Sequence, residues 1–488
     1  MHDDQWEPER LQIEFRVNED DLVFNGVDGG TGKHLFPRTS LERIARMIRS
    51  EEPDPDEVAD LAARQQAGTV DHLAVIFGRD PGRLDEVGWA LAAAADVDPA
   101  VIEALTPLRD RRRSQAGNLY RELWGPENGV RANDNSQDFL IRHGVDANDV
   151  ADPEQLPYYV LLVGGPDVIG FSFQYQLGVQ RAVGRLHFDT PAEYARYATN
   201  VVAAETSPPL ASSDSRVHVF ATRNPGDLPT ALSASRLAVP LVQDLKGKTR
   251  VTSDIGEGAT KQRLQELIQG DGRLDVLFTA THGLGLVGPD QRDVQGALVC
   301  QDWLGELHTH GQLTGAEYLA GVDLDAGRAI SPTVMFSFGC YSAGTPHATD
   351  FIDAPNLAAS ADPPFVARLA QRLLAHPRSG CLAFVGHVDR AWNLSFLFKG
   401  IKPRILPFSS SIGAFLAGAP LGMAMEYVAL RYATTATELV NLLQKIRAWN
   451  FVADDRELAY LWLATNDARN FLIIGDPAIR LPASSLGQ

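Results

Sequence analysis

The chain has 488 residues and a formal net charge of −18 at pH 7, with 44% apolar and 22% charged residues. This composition is typical of a globular protein with two or three domains. It argues against nucleic-acid binding, because phosphate recognition needs a concentrated basic face. The polar first residues, and the presence of Pro420 and Glu426 in the apolar window 413–430, argue against a signal sequence and a membrane span. Three cysteines give no disulfide framework, so a reducing cytoplasm is the expected compartment.

The first half of the chain mixes apolar runs with one well-marked helix start. Short apolar runs ending in Gly predict buried strands at 71–78 and 158–164, and the stretch 83–95 between them predicts a helix. Thr190-Pro191-Ala192-Glu193 predicts a capped helix start, in which Glu193 reaches back to the N–H of Thr190. The polar segment 207–215 then predicts a boundary between two domains, 1–210 and 211–488.

The second half alternates predicted strands with predicted helices. The strands are expected at 216–222, 249–254, 274–281, 333–338 and 381–386, and the helices within 228–245, 260–270 and 363–374. Because crossover helices join parallel strands, this order predicts an α/β fold with a mostly parallel sheet and helices on both faces. A smaller α/β subdomain is expected to precede it. Functional groups in such sheets gather beyond the carboxyl ends of the strands.

Two candidate catalytic side chains follow predicted strands at that edge. His282-Gly283 ends the 274–281 strand, and Gly339-Cys340 ends the 333–338 strand in TVMFSFGCYSAGTP. A free thiol is mostly protonated at neutral pH, so a neighbouring imidazole is needed to take its proton. The pair therefore predicts a His-Cys dyad for nucleophilic catalysis. The alternative is a small buried cysteine and an unrelated turn histidine.

Acyl transfer by such a dyad also needs donors for an oxyanion. The backbone N–H groups of Gly283 and Cys340 are the candidates, because both follow strands that end at the same edge. The glycine would in addition allow a substrate to approach the backbone closely.

Residues 60 to 482 resemble the caspase-like cysteine peptidases, and among them the gingipain-like and bacterial CHAT-type proteins. The matching pieces are FTATHGLG, FSFGCYSAG, FVGHVDRAWNLSF and FLIIGDPAIRLP, with LLVGGPDVIGFSFQYQL and RAVGRLHFDTPAEYARYA upstream. The caspase pentapeptide Gln-Ala-Cys-x-Gly is absent, and Phe338 stands where metacaspases have an acid. The resemblance implies a caspase-like fold and a cysteine endopeptidase of bacterial origin.

The resemblance also implies a substrate-reading residue in TRNPGDLP, after the first strand of the catalytic domain. Asp227 in the pocket would select Arg or Lys before the cut, whereas Arg223 would select an acid. The basic preference is expected because it recurs in the gingipain-like relatives, although Asp227 also suits a turn. Trp392 either walls the pocket or lies in the core. Asp350 and Asp353 either line the site, bind calcium or are solvated.

A basic run in this acidic chain suggests control by proteolysis. The run RDRRRS offers Arg111, Arg112 and Arg113 as an exposed processing site, or as an ordinary helix end. The expected function is thus a latent cysteine endopeptidase of protein substrates, released by an activating protease or a regulatory partner. No metal or organic cofactor, nucleic acid or membrane is expected to take part. The alternative is a catalytically silent binding or signalling module of the same fold.

Two further patterns carry no function at this level. DGGTGKH (28–34) departs from a phosphate-binding loop, because His34 stands where Ser or Thr is needed. HTH (308–310) has no third ligand at a metal-binding spacing.

Overall fold

The computed structural model describes residues 22–35, 40–50, 76, 78–132, 134–146, 150–207, 215–308, 311–349, 360–398, 402–449 and 451–482. Of the sequence-predicted features, the 71–78 strand lies outside these residues except for Ile76 and Gly78. Asp350 and Asp353 lie outside them as well.

The strands build one large sheet and three smaller ones. In chain order they are β1 (Gly26–Asp28), β2 (Trp89–Ala93), β3 (Tyr120–Leu123), β4 (Tyr159–Val163), β5 (Ala182–Leu186), β6 (Arg216–Ala221), β7 (Arg250–Ile255), β8 (Leu274–Ala280), β9 (His282–Gly285), β10 (Leu298–Val299), β11 (Tyr318–Leu319), β12 (Pro332–Phe338), β13 (Gly344–Thr345), β14 (Phe365–Val366), β15 (Ala383–His387), β16 (Leu397–Phe398), β17 (Lys402–Pro403) and β18 (Phe471–Gly475).

The large sheet has ten strands in the order β3-β2-β4-β5-β18-β15-β12-β8-β6-β7. Every neighbouring pair in it is parallel except β15 with β18. A four-stranded sheet, β1-β9-β10-β11, adjoins the carboxyl end of β8, because β9 follows β8 after one residue, and β13-β14 and β16-β17 form small pairs.

Helices surround the large sheet. They are α1 (Leu41–Ser50), α2 (Leu84–Val87), α3 (Pro99–Ala104), α4 (Thr106–Ala116), α5 (Gly125–Asn128), α6 (Ser136–Arg142), α7 (Phe171–Leu177), α8 (Pro191–Glu205), α9 (Leu228–Leu232), α10 (Val239–Leu245), α11 (Lys261–Gln269), α12 (Gln291–Val294), α13 (Arg368–Leu374), α14 (Leu406–Leu416), α15 (Leu421–Ala424), α16 (Glu426–Trp449) and α17 (Asp455–Arg469). A π-helical segment, Ser233–Ala238, joins α9 to α10. In the described part of the chain, no helix has the length and apolar character that a membrane crossing requires.

Both faces of the large sheet are covered. Along β4, Leu161 packs into the main core, whereas its neighbours Val160 and Leu162 pack into a second core with Phe139. Successive side chains of a strand point to opposite faces, so apolar layers lie above and below the sheet. The predicted α/β class with a mostly parallel sheet is confirmed.

The sheet is continuous across the predicted domain boundary. Strands β2 to β5 precede residue 210, and β18, from the end of the chain, pairs with β5 in parallel and with β15 antiparallel. The two-domain division itself stays a prediction.

Two of the predicted helices are wrong in part. Only Leu84–Val87 of the 83–95 stretch is helical, because Gly88 turns the chain at φ 73° and β2 follows. All five residues of β2 are buried, so its apolar run has no alternation that would distinguish a strand from a helix. The predicted 363–374 helix begins only at Arg368, because Phe365–Val366 form β14.

The helix start at Thr190 is confirmed. The N–H of Thr190 donates to Oε2 of Glu193 over 3.0 Å at the start of α8, and the two residues form a capping box.

The basic run is part of α4 and differs from the expected exposed segment. Arg112 is 0% exposed, and it donates to Oδ2 of Asp476 and to Oε1 of Glu205, each over 2.7 Å. The charged partners hold the buried guanidinium against the cost of desolvation. A protease would reach the peptide bond that follows Arg112 only if α4 unwound.

Candidate active site

The two predicted catalytic residues leave neighbouring strands at the same edge. Strands β8 and β12 are parallel, with Ala280 opposite Phe338, so His282 and Cys340 each follow two residues later. The side chains of both are fully buried. A Cβ on Gly339 would lie 3.1 Å from the carbonyl oxygen of Thr281, so the residues that follow β8 and β12 are in direct contact.

Two backbone N–H groups converge on one carbonyl oxygen at this edge. The N–H groups of Gly283 and Cys340 both donate to the carbonyl oxygen of Asn25, each over 2.9 Å. The backbone of Gly283 lies so close to that of Cys340 that only glycine fits, because a Cβ on Gly283 would lie 1.8 Å from the carbonyl oxygen of Cys340. This pair of donors has the arrangement that stabilises an oxyanion.

The carbonyl in this position belongs to residues 22–28, which we call the cleft segment. The segment runs antiparallel to residues 391–393: the N–H of Asn25 donates to Ala391, and the N–H of Asn393 donates to Val23, each over 3.0 Å. On the other side, Gly26–Asp28 form β1 and pair with Gly283–Gly285. The cleft segment therefore lies between two backbone edges like an added strand.

His282 is held by a buried carboxylate. Its Nε2 lies 2.9 Å from Oδ2 of Asp227, and the other oxygen of Asp227 lies 2.5 Å from Nε2 of His34. A carboxylate accepts hydrogen bonds, so Nε2 of His282 carries the proton. In the neutral imidazole Nδ1 presents a lone pair, and within the described residues it has no hydrogen-bond partner.

Asp227 is charged despite its burial. Burial alone would raise the pKa of this carboxyl, but the charge of His282 and the hydrogen bonds from His282 and His34 outweigh it and hold the pKa well below its usual range. Asp227 also caps α9, where its Oδ2 accepts from the N–H of Thr230 over 2.9 Å.

The Cys340 thiol is a neutral group in this conformation. Burial raises its pKa well above the ordinary range, and this outweighs the N–H of Ala391, which donates to Sγ over 3.3 Å, and the charge of Arg390, both of which lower it. Its neighbour Tyr341 has φ 58°, and Asp389, whose carbonyl accepts from the N–H of Tyr341 over 2.7 Å, has φ 66°. Among the described residues these are the two non-glycines in left-handed backbone, and such strain clusters at functional sites.

The imidazole-carboxylate group can also hold a metal ion. His34, Asp227 and His282 each offer one ligand atom, and these atoms lie within 4.8 Å of one another. Two imidazoles and one carboxylate suit zinc.

The predicted pocket residues lie in different surroundings. Asp227 is 2% exposed and faces the two imidazoles. Arg223 is half-buried at the end of β6, with its N–H and carbonyl bonded to the side chain of Gln301. Trp392 is buried, and its ring meets that of Phe24 edge-on at 5.1 Å.

Sequence reasoning missed Asn25 and His34. Both belong to the segment FNGVDGGTGKH, in which the Asn25-Gly26 pair is an ordinary turn signal and His34 falls in the rejected phosphate-loop pattern. Nothing local marks either residue as part of a site formed more than two hundred residues later.

Comparison with known proteins gives structural matches only. No protein-family model and no curated protein matches the chain. Four chains of known structure match. The Arg-specific cysteine proteinase gingipain R has a TM-score of 0.41 and 12% identity, over 83% of this chain and 80% of its own.

Two further matches are complexes. The Porphyromonas gingivalis RgpB pro- and mature domains give a TM-score of 0.42 and 12% identity, over 80% and 79% of the two chains. The Saccharomyces cerevisiae separase–securin complex gives 0.30 and 11%, over 66% of this chain and 16% of the other. Likeness at this level carries no conclusion about activity, substrate or partner.

Proposed function

We propose that this protein is a cysteine peptidase in which Cys340 is the nucleophile and His282 is the base and acid. The observation that carries the proposal is the convergence of the Gly283 and Cys340 N–H groups on one peptide carbonyl, each over 2.9 Å. A peptide carbonyl held by two preorganised donors beside a thiol is the arrangement that acyl transfer needs.

In the proposed reaction His282 accepts a proton and then returns it, first in the formation of a thioester and again in its hydrolysis. Nδ1 of His282 takes the thiol proton as Sγ of Cys340 attacks the peptide carbonyl, and the two N–H groups bind the oxyanion. The imidazolium then protonates the departing amine, which leaves a thioester on Cys340. Water hydrolyses the thioester with His282 again as the base.

Asp227 acts in this proposal as a positioning residue. Its hydrogen bond to Nε2 orients the imidazole and stabilises the imidazolium, as a carboxylate partner does in catalytic triads. A basic preference before the cut would need a carboxylate open to the substrate. Because both oxygens of Asp227 are bonded to imidazoles, the preference for Arg or Lys loses this support.

The proposed enzyme is latent in the conformation described. The cleft segment covers Cys340, whose thiol is neutral, and fills the donor pair. A substrate can bind only after this segment leaves or is cut.

Peptide hydrolysis by purified full-length protein tests the function. Fluorogenic peptides ending in Asn, Asp, Arg, Lys or Leu are assayed with the wild type and with Phe24→Asp, which weakens the packing of the cleft segment on Trp392. We expect hydrolysis that Cys340→Ala and His282→Ala reduce by at least about 10³-fold. The buried Cys381→Ala serves as the matched control and should retain activity.

Absence of hydrolysis would favour the alternative function, a catalytically silent binding module of the same fold. If neither the wild type nor Phe24→Asp hydrolyses any of the peptides, and the chain stays intact, the proposal of a peptidase is overturned.

A further inference from the structure

The cleft segment is bound in the manner of a substrate. Its hydrogen bonds to Ala391 and Asn393 alternate along the strand, from the carbonyl of Val23 to the N–H of Asn25, and the carbonyl of Asn25 then enters the donor pair. Phe24, between them, packs on Trp392. Main-chain bonds of this kind bind an extended peptide whatever its sequence, and pockets for individual side chains add selectivity.

The thiol lies beside one particular peptide bond. A Cβ on Gly26 would lie 3.0 Å from Sγ and 3.2 Å from Cβ of Cys340. The carbonyl carbon of Asn25 is bonded both to the oxygen in the donor pair and to the nitrogen of Gly26. It is therefore the electrophilic carbon of the peptide bond that lies next to the thiol at Gly26.

We propose that the Asn25–Gly26 bond is a self-cleavage site, and that the pocket around Asn25 makes the enzyme select asparagine before the cut. This inference rests on the proposed function, because it uses the same nucleophile.

The pocket around Asn25 accepts hydrogen bonds and carries no charge among its hydrogen-bonding groups. Nδ2 of Asn25 donates to Oγ of Ser233 over 3.3 Å and to the carbonyl of Thr281 over 3.2 Å. Oγ of Ser233 donates in turn to the carbonyl of Thr230, so it is an acceptor toward Asn25. Both partners are fully buried.

Two buried acceptors discriminate an amide from a carboxylate of the same shape. An aspartate at this position would set a negative oxygen against the carbonyl of Thr281 and leave that acceptor unpaired. The carboxylate of Asp227 is already bonded to His34 and His282, so it offers no charged partner to an arginine or lysine at this position. Oδ1 of Asn25 has no hydrogen-bond partner within the described residues, so the NH₂ group carries the recognition.

The self-cleavage step consumes one water and needs no other reactant. The thiol proton passes to His282, Sγ bonds to the carbonyl carbon of Asn25, and the bond to the Gly26 nitrogen breaks as that nitrogen takes the proton. Water then attacks the Asn25 thioester, which restores the thiol and leaves a carboxylate on Asn25. The products are residues 1–25 and a chain that begins at Gly26.

Intact-mass and N-terminal analysis of incubated full-length protein tests the site. We expect a cut after Asn25 in the wild type, and none in Cys340→Ala or in the isosteric Asn25→Asp. Asn18→Asp changes an asparagine outside the cleft segment and should be cut like the wild type. An Asn-Gly bond can also rearrange without an enzyme, and Cys340→Ala detects that background.

Selectivity is measured in the full-length Phe24→Asp variant with the peptides Val-Phe-Asn, Val-Phe-Asp and Val-Phe-Arg, each of which carries a fluorogenic leaving group. For Phe24→Asp we expect kcat/KM for the Asn peptide to exceed that for the Asp peptide by at least about tenfold. We also expect it to exceed that for the Arg peptide.

The outcomes separate this inference from the proposed function. Peptide hydrolysis that depends on Cys340, combined with an intact Asn25–Gly26 bond or a preference for Asp or Arg, overturns the inference and leaves the peptidase in place. An equal cut in Cys340→Ala also overturns it. Absence of all hydrolysis overturns both.

Discussion

At the residue scale, the carboxylate of Asp227 connects two imidazoles from distant parts of the chain. It accepts from His282 at one oxygen and contacts His34 at the other, and it caps α9 at the same time. A group with these three partners is committed to one position. The proton on Nε2 of His282 is therefore fixed, and Nδ1 is the nitrogen that acts as the base in the proposed reaction.

We expect Asp227→Asn to lower kcat by about 10²–10⁴-fold with a smaller change in KM, because the amide favours the wrong tautomer and cannot stabilise the imidazolium. The measurement is kcat against pH, with exposed Asp110→Asn as the matched control. A mutant whose kcat and pH profile match those of the wild type would contradict the assigned role.

The lowered pKa of Asp227 also makes the free energy of unfolding depend on pH. Its folded pKa lies below the unfolded value of about 3.9, so its stabilising effect is complete above that pH and is lost as the pH falls below it. The loss of unfolding free energy in Asp227→Asn should thus be full at neutral pH and should shrink only in strong acid.

At the scale of single elements, the cleft segment covers the buried thiol of Cys340. Burial raises the pKa of Cys340, and residues 22–27 are themselves almost wholly buried against the site. Removing this cover should lower the pKa, since desolvation is its largest cause.

We expect iodoacetamide to label Cys340 slowly at pH 7 in wild-type protein whose Asn25–Gly26 bond is intact, and at least about tenfold faster in Phe24→Asp. Labelling is followed by mass spectrometry of the Cys340 peptide. Cys381 provides the internal control, because burial raises its pKa to about 12 far from the cleft segment, and it should stay unlabelled in both proteins. Fast labelling of the uncut wild type would show that the segment does not cover the thiol in solution.

At the scale of the whole molecule, Arg112 ties together three separate elements. From α4 it reaches Glu205 at the end of α8 and Asp476 directly after β18, over 2.7 Å in each case. Burial alone would raise the pKa of Glu205, but the charge of Arg112 lowers it overall, so Glu205 stays ionised near neutral pH. The network thereby joins the first half of the chain to its last strand.

We expect Arg112→Ala to lower the unfolding free energy by about 3–5 kcal/mol, because it removes the buried guanidinium that pairs with the carboxylates of Glu205 and Asp476. The half-exposed Arg113→Ala should cost only about 0–1 kcal/mol. Denaturant unfolding of the two variants measures both values. Equal and small effects would indicate that the run is a solvated surface, as a processing site requires.

Much of the fold could be predicted because the signals are local. Short apolar runs marked β4, β8 and β12, and the capping pattern at Thr190 marked α8. The prediction of a helix over 83–95 was wrong in part, because β2 is buried on both faces and its residues do not alternate between apolar and polar. The positions of His282 and Cys340 followed from the strands that precede them.

The chain order of residue types by itself determined the α/β class, the parallel arrangement and the edge at which His282 and Cys340 emerge. Helix and strand formation, and the direction in which a strand ends, depend on neighbouring residues. Only the tertiary structure decided that Asp227 faces an imidazole, that Arg112 is buried and that Asn25 enters the site. Asn25 and Thr281 are 256 positions apart in the chain, and their contact depends on the packing of the whole sheet edge. No local pattern encodes such a contact, because its free energy arises only when the distant segments have already folded together.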